Sequence, residues 1–539
     1  MRSLLFPTLL ATGAVLAHGQ ETFNNPILWY DLADVDIFRV DDAFYYSAST
    51  MHYSPGAPVL KSYDLVNWEF IGHSVPSLAF GDKYNLDGSG TAYVNGIWAS
   101  GMRYRESNGL WYWYGCIDFA RTHVFTATDP AGEWTQHEPL DKCYYDLGVL
   151  IDDDDTMYLA YGSYDISVVQ LTDDGLGVVR EEEVWTDNER YLEGARFYNI
   201  DGSYYLWLTK PADEQHVLKA DNPWGPYEER PILVRMKAPI PHSGVPHQGG
   251  IVDTPDGDWY YMGFLDAYPL GRIPVLAPLV FDEEGWPSLV TDENGGWGLT
   301  YPMPLQPKCN QAVNPAGPYT DNFDGPALGP EWEWNHNPDN AAWSLGADGL
   351  ELNTTTVTDD LHYARNTLTH RIHGPHSSGT FRLNLGGMAD GDVAGVAILR
   401  DESSFLAVQK RGSDLMLREV HDALLQQSGE NRWTSTSNGT VVAEAQGVDL
   451  SSVATGESDL WLRVEADVTP NFQNPGGENT AWFSYSLDGE DFVPLVSGGW
   501  ALHNRWEFFM AFRFAVFNYA TEELGGSIKV KEFDLQLVE

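Results

Sequence analysis

Residues 30–46 read YDLADVDIFRVDDAFYY, which is the pattern of a β-strand, an acidic turn and a second strand. The same pattern returns four more times, beginning near residues 98, 146, 193 and 247. Each copy has turn-forming residues such as Asn-Gly, Asp-Gly or an acidic run at the same place. Copies at this spacing, with no long helical periodicity between them, predict a β-propeller of five blades.

A different pattern follows the repeats. A Pro- and Gly-rich stretch at 307–318 ends them, and short alternating strands such as 380–385 and 460–465 come after it. Their spacing favours a β-sandwich. The predicted fold class is all-β, a five-bladed β-propeller followed by a β-sandwich. The expected divisions are a signal peptide at 1–19, the propeller domain at 20–310, a linker at 311–320 and the sandwich at 321–539.

The N-terminus indicates export. Residues 1–19 carry one charge, at Arg2, and an apolar run at Leu4–Leu16 followed by small residues, which is typical of a secretory signal peptide. No later stretch has the apolar length of a membrane-spanning helix. Sequons at Asn353 and Asn438 are consistent with secretion, although the sequence does not decide their occupancy. We therefore expect a secreted, extracellular protein.

The chain has three cysteines, enough for one disulfide and one free thiol. Cys116 and Cys143 are the nearer pair along the chain and are favoured for that reason, but pairing with Cys309 stays open. Because the cysteines have neither a CxxC spacing nor neighbouring histidines, the sequence predicts no zinc site. No redox or nucleotide cofactor is expected, and no residue is assigned to a metal.

The composition restricts the partners. The formal net charge is −47 at pH 7, from 31 basic and 78 acidic residues. Such a surface repels nucleic acid and anionic lipid, so neither is expected to bind. Aromatic residues make up 13% of the chain, as in sugar-stacking clefts and aromatic-rich sheets. We expect a monomer that acts on a neutral polysaccharide.

Carboxyl groups stand near the beginning of three of the repeats, at Asp34, Asp146 and Glu193. Because the first strand of each propeller blade lines the central channel, these side chains are predicted to meet at one axis. Glycosidic bonds are cleaved by one protonated and one ionised carboxyl group, and a third can raise the pKa of the acid by repulsion. A strand-initial Asp more often caps a turn or faces solvent, and Asp36 would share a face with Asp34 in a regular strand.

Short motifs at the predicted strands and turns point to a family. They are NPIL at 25–28, ADVDI at 33–37, DLGVL at 146–150 and LEGA at 192–195. Together they resemble glycoside hydrolase family 43 over essentially the whole of the predicted propeller. The stretch 324–338 is similar to the opening of the concanavalin-type sandwich often fused to that family. The resemblance implies an inverting glycosidase.

Roles follow from this resemblance position by position. It implies Asp34 as the general base, Glu193 as the general acid and Asp146 as the group that tunes the pKa of Glu193 and orients it. It also implies Arg272, His247 and Trp98 as substrate contacts. For Arg272, a structural ion pair is the alternative. His247 could instead help to hold a structural calcium at the propeller axis.

The segment STMHYSPGAP at 49–58 looks most like the fungal secreted α-L-arabinofuranosidases of this family, which debranch arabinoxylan. The implied reaction is release of terminal α-L-arabinofuranosyl groups from arabinoxylan, at doubly substituted xylose units, with branched arabinan left open as a second substrate. Ala33 and Val35 replace the family's usual prolines around the base, which weakens the match to its β-xylosidases. The alternatives are a β-xylosidase or endo-arabinanase on the same scaffold, and a non-catalytic carbohydrate-binding protein.

Overall fold

A computed structural model describes residues 21–308, 311–429, 432–474 and 478–538. The predicted signal peptide and Cys309 lie outside these residues. The predicted fold class is confirmed: a five-bladed propeller precedes a β-sandwich. Helical structure in the described part of the chain is confined to three short segments, Asp82–Tyr84, Leu361–Tyr363 and Ser451–Ala454. Among the described residues, no helix has the length and apolar character needed to cross a membrane.

Each propeller blade is a four-stranded antiparallel sheet whose strands follow chain order. Blade 1 contains Asp36–Val40, Ala43–Ser47, Gly56–Ser62 and Trp68–Val75. Blade 2 contains Ser100–Arg105, Leu110–Ile117, Arg121–Ala127 and Thr135–Gln136. Blade 3 contains Gly148–Ile151, Met157–Ser163, Asp165–Leu171 and Val178–Thr186. Blade 4 contains Glu193–Ile200, Ser203–Lys210, Glu214–Ala220 and Glu228–Val234. Blade 5 contains His247–Asp253, Trp259–Asp266, Arg272–Phe281 and Pro287–Leu289.

The first strands of the blades contact one another around the axis. A fully buried arginine on blade 4, Arg196, ties this centre together. Its guanidinium donates hydrogen bonds to the main-chain oxygens of Asp34 at 2.8 Å, Ser100 at 2.8 Å and Leu147 at 2.7 Å. These acceptors lie at the starts of blades 1, 2 and 3, so one cation fixes the inner ends of four blades relative to each other. A short pairing of Thr22–Asn24 with Thr300–Pro302 joins the two ends of the propeller segment.

The C-terminal part forms two eight-stranded sheets. Seven strands of the first sheet are neighbours in the order Trp343–Gly346, Gly349–Asn353, Ser527–Leu537, His376–Asn384, Leu460–Asp467, Asn479–Ser486 and Trp500–Leu502. The eighth strand, Tyr319–Asp321, also pairs with Ser527–Leu537. The second is Arg432–Glu444, Asp414–Gly429, Glu402–Arg411, Asp392–Leu399, Arg513–Ala520, Leu368–Arg371, Trp332–Asn335 and Tyr53–Ser54. The last of these strands belongs to the propeller segment, so the second sheet is completed by residues from blade 1.

Buried charges hold the sandwich to the propeller. The carboxylate of Glu333 is fully buried and contacts Arg371 at 2.9 Å, Arg513 at 2.6 Å and His73 of blade 1 at 3.0 Å. Burial opposes ionisation of Glu333, but the two arginines and the histidine outweigh it and hold its pKa well below the usual range. The contact is therefore an ion pair under ordinary conditions.

Within the propeller, Cys116 and Cys143 form a disulfide. This confirms the pairing favoured by their separation of 27 residues. The bond links the second strand of blade 2 to the segment that leads into blade 3. Cys143 therefore lies on the same short segment as Asp146, one of the predicted site residues.

Candidate active site

All six of the predicted site residues line one pocket of about 470 Å³. They are Asp34, Trp98, Asp146, Glu193, His247 and Arg272. The pocket also contains residues that the sequence analysis did not single out, among them Tyr145, Tyr191, Gln248, Asp266, Phe472, Trp506 and Phe509. The last three belong to the sandwich, so both domains build the pocket wall.

Asp34 lies two residues before the first strand of blade 1 and has a left-handed backbone, with φ of 60°. Its Oδ1 accepts a hydrogen bond from Nη1 of Arg272 at 2.9 Å, and both side chains are buried. In the described part of the chain, Nε and Nη2 of Arg272 have no hydrogen-bond partner. The ion pair considered for Arg272 is therefore present, and its guanidinium also lies over the rings of Phe264 at 5.4 Å and Phe509 at 5.7 Å. A contact between Arg272 and substrate stays a prediction.

Asp36 does not join this group. Its carboxylate is fully buried and accepts hydrogen bonds from the main-chain nitrogen of Met102 at 2.7 Å and from Nη1 of Arg103 at 2.8 Å. The left-handed conformation at Asp34 interrupts the regular alternation that would have placed both side chains on one face. Asp36 is thus a structural ion-pair partner between blades 1 and 2.

Glu193 is the first residue of blade 4, and its Oε2 accepts a hydrogen bond from the hydroxyl of Tyr145 at 2.8 Å. Burial raises the pKa of Glu193, and the charge of Asp34 raises it further. Hydrogen bonds from Tyr191 and Tyr145 and the charge of Arg272 lower it, but the net shift is upward. A carboxyl group that keeps its proton to higher pH is suited to donate that proton to a leaving group.

Asp146 is buried beside Glu193 and, like Asp34, has a left-handed backbone, with φ of 52°. Burial and the charges of Glu193 and Asp34 raise its pKa well above the usual range. The three carboxyl groups line the same pocket, and the charges of Glu193 and Asp34 act on Asp146. The tuning and orienting role of Asp146 toward Glu193 stays a prediction.

His247 begins blade 5 and its ring packs against Phe264, with centroids 4.5 Å apart. Its Nδ1 lies 2.8 Å from the main-chain oxygen of Val245, and because an oxygen can only accept, Nδ1 carries the proton. In the neutral ring Nε2 is then an acceptor. Among the described residues, no group of three or more His, Cys, Asp or Glu side chains could hold a metal ion. A structural calcium at the propeller axis stays a prediction.

Trp98 connects the pocket to the sandwich. Its ring lies 4.9 Å from Phe509 of the sandwich and 5.7 Å from the exposed Phe119, both measured between centroids. The ring of Trp506 also packs against Phe509, with centroids 5.4 Å apart, and Trp506 is 48% exposed. Aromatic surface of this kind is what stacks on sugar rings, and here both domains supply it.

Some of the missed residues had a signal in the sequence. Tyr145 and Gln248 directly adjoin the predicted Asp146 and His247, so a search of neighbouring positions would have found them. Asp266 ends the second strand of blade 5, and its place in the pocket follows from pairing with Arg272. The three aromatic residues of the sandwich lie far away in sequence, and no local pattern indicates that they reach the propeller.

The inner strand ends of the propeller bring three carboxyl groups into one pocket, and cleavage of a glycosidic bond requires carboxyl groups gathered in this way. The sequence model of Glycosyl hydrolases family 43 matches residues 23–287, and that of the Beta xylosidase C-terminal Concanavalin A-like domain matches residues 320–536. A beta-xylosidase from Formosa agariphila is 31% identical over 450 residues, which span 71% of this chain and 74% of that protein. The chain belongs to glycosyl hydrolase family 43.

Other relatives carry different activities. A non-reducing end alpha-L-arabinofuranosidase from Bacteroides ovatus is 28% identical over 410 residues, which span 71% of this chain and 75% of that protein. Among solved structures, one of an engineered family 43 enzyme with both endo-xylanase and exo-arabinofuranosidase activity has a TM-score of 0.92. It is 46% identical and covers 96% of this chain and 100% of that chain. Because several relatives are named as beta-xylosidases, the narrower resemblance to fungal arabinofuranosidases stays a prediction.

Proposed function

We propose that this protein is an inverting α-L-arabinofuranosidase that releases terminal α-L-arabinofuranosyl groups from arabinoxylan, at doubly substituted xylose units. The observation that carries the glycosidase mechanism is that two carboxyl groups in one pocket have different surroundings. Asp34 contacts the guanidinium of Arg272 at 2.9 Å, whereas burial raises the pKa of Glu193. The 46% identical structure, whose enzyme displays exo-arabinofuranosidase activity, supports the choice of sugar.

In the proposed reaction, Glu193 gives its proton to the glycosidic oxygen while Asp34 takes a proton from a water that attacks the anomeric carbon from the opposite face. Inversion needs room for that water, with carboxyl groups about 6.5–9.5 Å apart. We assign to Asp146 the role of tuning and orienting Glu193, because both carboxyl groups line the pocket and the charge of Glu193 raises the pKa of Asp146. We assign contacts with the sugar to Arg272, His247 and Trp98, because their side chains line the pocket.

Proton NMR of wheat arabinoxylan during digestion tests this proposal. We expect the signal of O3-linked arabinose on doubly substituted xylose to disappear and β-arabinofuranose to appear first. If α-arabinofuranose appeared first, inversion would be wrong. Glu193→Gln is the matched control, because the amide keeps the shape of the side chain but has no proton to give.

A β-xylosidase is the second candidate, because the similar proteins from Formosa agariphila and Xylanibacter ruminicola are named as beta-xylosidase and putative beta-xylosidase. Release of xylose from xylo-oligosaccharides, with arabinose side groups left in place, would favour it. Arabino-oligosaccharide products would favour an endo-arabinanase. No increase of reducing sugar on any of these substrates would favour a non-catalytic carbohydrate-binding protein.

We also propose that the protein is exported. The Cys116–Cys143 disulfide supports this, because such bonds persist in oxidising compartments and are rare in the cytosol. The test is expression of the full chain in a secreting host and N-terminal sequencing of the protein from the medium. We expect the secreted chain to begin at residue 20; retention in the cell with Met1 in place would contradict export.

A further inference from the structure

One buried carboxylate, Asp31, lies where three parts of the molecule meet. Its Oδ1 accepts a hydrogen bond from the main-chain N–H of Arg272 in blade 5, at 2.8 Å. Its Oδ2 accepts one from the main-chain N–H of Ala511 in the sandwich, also at 2.8 Å. Asp31 itself lies on the segment that leads into blade 1. A single side chain therefore fixes blade 1, blade 5 and the sandwich at one point.

This point is directly connected to the proposed general base. Next to Asp31, the main-chain N–H of Leu32 donates to the main-chain oxygen of Arg272 at 2.9 Å, so the main chain of the arginine is held from both sides. The side chain of the same arginine then contacts Asp34 at 2.9 Å. Asp31 thus sets the main chain of Arg272, and the guanidinium of Arg272 sets Asp34.

The junction has no spare room. Gly271 has φ of +90°, which an L side chain rarely adopts. A Cβ atom placed there would lie 2.5 Å from both Cγ and Oδ1 of Asp31 and 2.9 Å from Cβ of Ala511. Glycine is therefore required for the carboxylate to approach both N–H groups. The main chain at Gly271 and Arg272 therefore cannot move toward Asp31 without displacing its carboxylate.

The sandwich makes a second hydrogen bond to Asp31. Nε of Arg371 donates to the main-chain oxygen of Asp31 at 3.1 Å. Ala511, which supplies the other contact, stands two residues after Phe509 in the pocket wall. The position of this aromatic wall and the position of the Arg272–Asp34 pair are hence set by the same carboxylate.

We propose that Asp31 is a positioning residue for the reaction: by fixing the main chain of Arg272, it places the guanidinium of that residue against Asp34. The proposal rests on the glycosidase mechanism of the site but not on which sugar is released. A purely structural contact between domains would stabilise the fold without acting through Arg272.

The test is a double-mutant cycle on kcat with Asp31→Asn and Arg272→Ala. The amide has a single oxygen, so one of the two N–H groups now faces an NH₂ group and Arg272 loses its exact placement. We expect Asp31→Asn to lower kcat by about 10- to 100-fold, as misplacements near 1 Å do. In the Arg272→Ala background, the same change should lower kcat by less than about threefold, because the effect has already been lost.

Tyr93→Phe is the matched control for loosening of the domain contact. The Tyr93 hydroxyl donates to the main-chain oxygen of His362 at 2.6 Å and accepts from Asn335 at 3.0 Å, so it also joins the propeller segment to the sandwich, but it does not contact Arg272. We expect a lower melting temperature with kcat unchanged. An equal loss of kcat in Tyr93→Phe would overturn the proposal, as would a full and independent effect of Asp31→Asn in the Arg272→Ala background.

Two further measurements keep the test decisive. Should Asp31→Asn fail to fold, Gly271→Ala replaces it, because the added methyl group displaces the same carboxylate; the same non-additivity with Arg272→Ala is expected. A crystal structure of the variant should show the Nη1–Oδ1 contact between Arg272 and Asp34 lengthened from 2.9 Å, and an unchanged contact would overturn the proposal. Rates are measured on both 4-nitrophenyl arabinofuranoside and 4-nitrophenyl xyloside. If the proposed sugar is wrong, the wild-type protein will itself prefer the xyloside, and the cycle can still be measured on that substrate.

Discussion

Replacement of Tyr145 by Phe tests how the site controls its acid. The hydroxyl of Tyr145 donates to Glu193 at 2.8 Å and lowers the pKa of that carboxyl group, against burial and the charge of Asp34, which raise it. Without the hydroxyl, the ionised form of Glu193 loses one of its two tyrosine donors, while the one from Tyr191 remains. The pKa of Glu193 must therefore rise.

The size of the change follows from hydrogen-bond energies. A hydrogen bond to a charged group stabilises by about 1.5–3 kcal/mol, and one to a neutral group by about 0.5–1.5 kcal/mol. The difference of about 1 kcal/mol corresponds to a pKa rise of about 0.7 unit. Because the acid acts only while protonated, activity is lost as pH rises through this pKa, and the alkaline limb of the profile should move to higher pH by that amount.

The assay is kcat/KM against pH, which reports the free enzyme. Tyr164→Phe is the control. The exposed ring of Tyr164 packs on Tyr191, with centroids 5.0 Å apart, but Tyr164 is not part of the pocket wall. Its alkaline limb should match the wild type. If the limb of Tyr145→Phe stayed in place or moved to lower pH, Glu193 would not be the acid that this limb reports.

Three other changes have defined outcomes. Glu193→Gln should lower kcat on arabinoxylan by about 10²–10⁴-fold and far less on 4-nitrophenyl arabinofuranoside, whose leaving group needs no proton; equal losses would contradict its role as acid. Removal of the Cys116–Cys143 disulfide, with its separation of 27 residues, should lower the free energy of unfolding by about 3.5 kcal/mol in urea denaturation, and an unchanged value would show that the bond does not stabilise the fold. Because the pKa of Glu333 is depressed in the folded protein, its contribution to stability is present above the pKa of the unfolded state and is lost as pH falls below about 5. Glu333→Gln should flatten that part of the stability–pH curve, and an unaltered slope would refute the assignment.

The sequence was sufficient for the propeller because each blade repeats the same local pattern of strand, turn and strand. The turn residues and the short runs of apolar and aromatic residues around Tyr45 and Tyr158 are local signals, so they can be recognised without knowledge of how the blades pack. The gathering of Asp34, Asp146 and Glu193 followed from topology alone, once the first strands were known to face the axis.

What the sequence did not reveal depends on long-range contacts or on backbone conformations outside the strand region. The left-handed φ of Asp34 separates it from Asp36, and no pattern of polar and apolar residues encodes that. Arg196 satisfies main-chain oxygens on other blades, and its fully buried position is visible only when the blades are assembled. Likewise, Trp506 reaches the pocket across hundreds of residues of chain.

The strand at Tyr53–Ser54 limits how this enzyme could be recombined. It pairs with the outermost strand of the sandwich, with Trp334 opposite Ser54 and Asn335 opposite Tyr53. A sandwich exchanged for that of another family member would arrive with its last strand lacking these partners, and an isolated sandwich would present an open edge to other chains. Crossovers at the linker alone would therefore give insoluble or inactive chimeras. A segment exchanged between family members should therefore begin before residue 53 and end after the strand Ser527–Leu537.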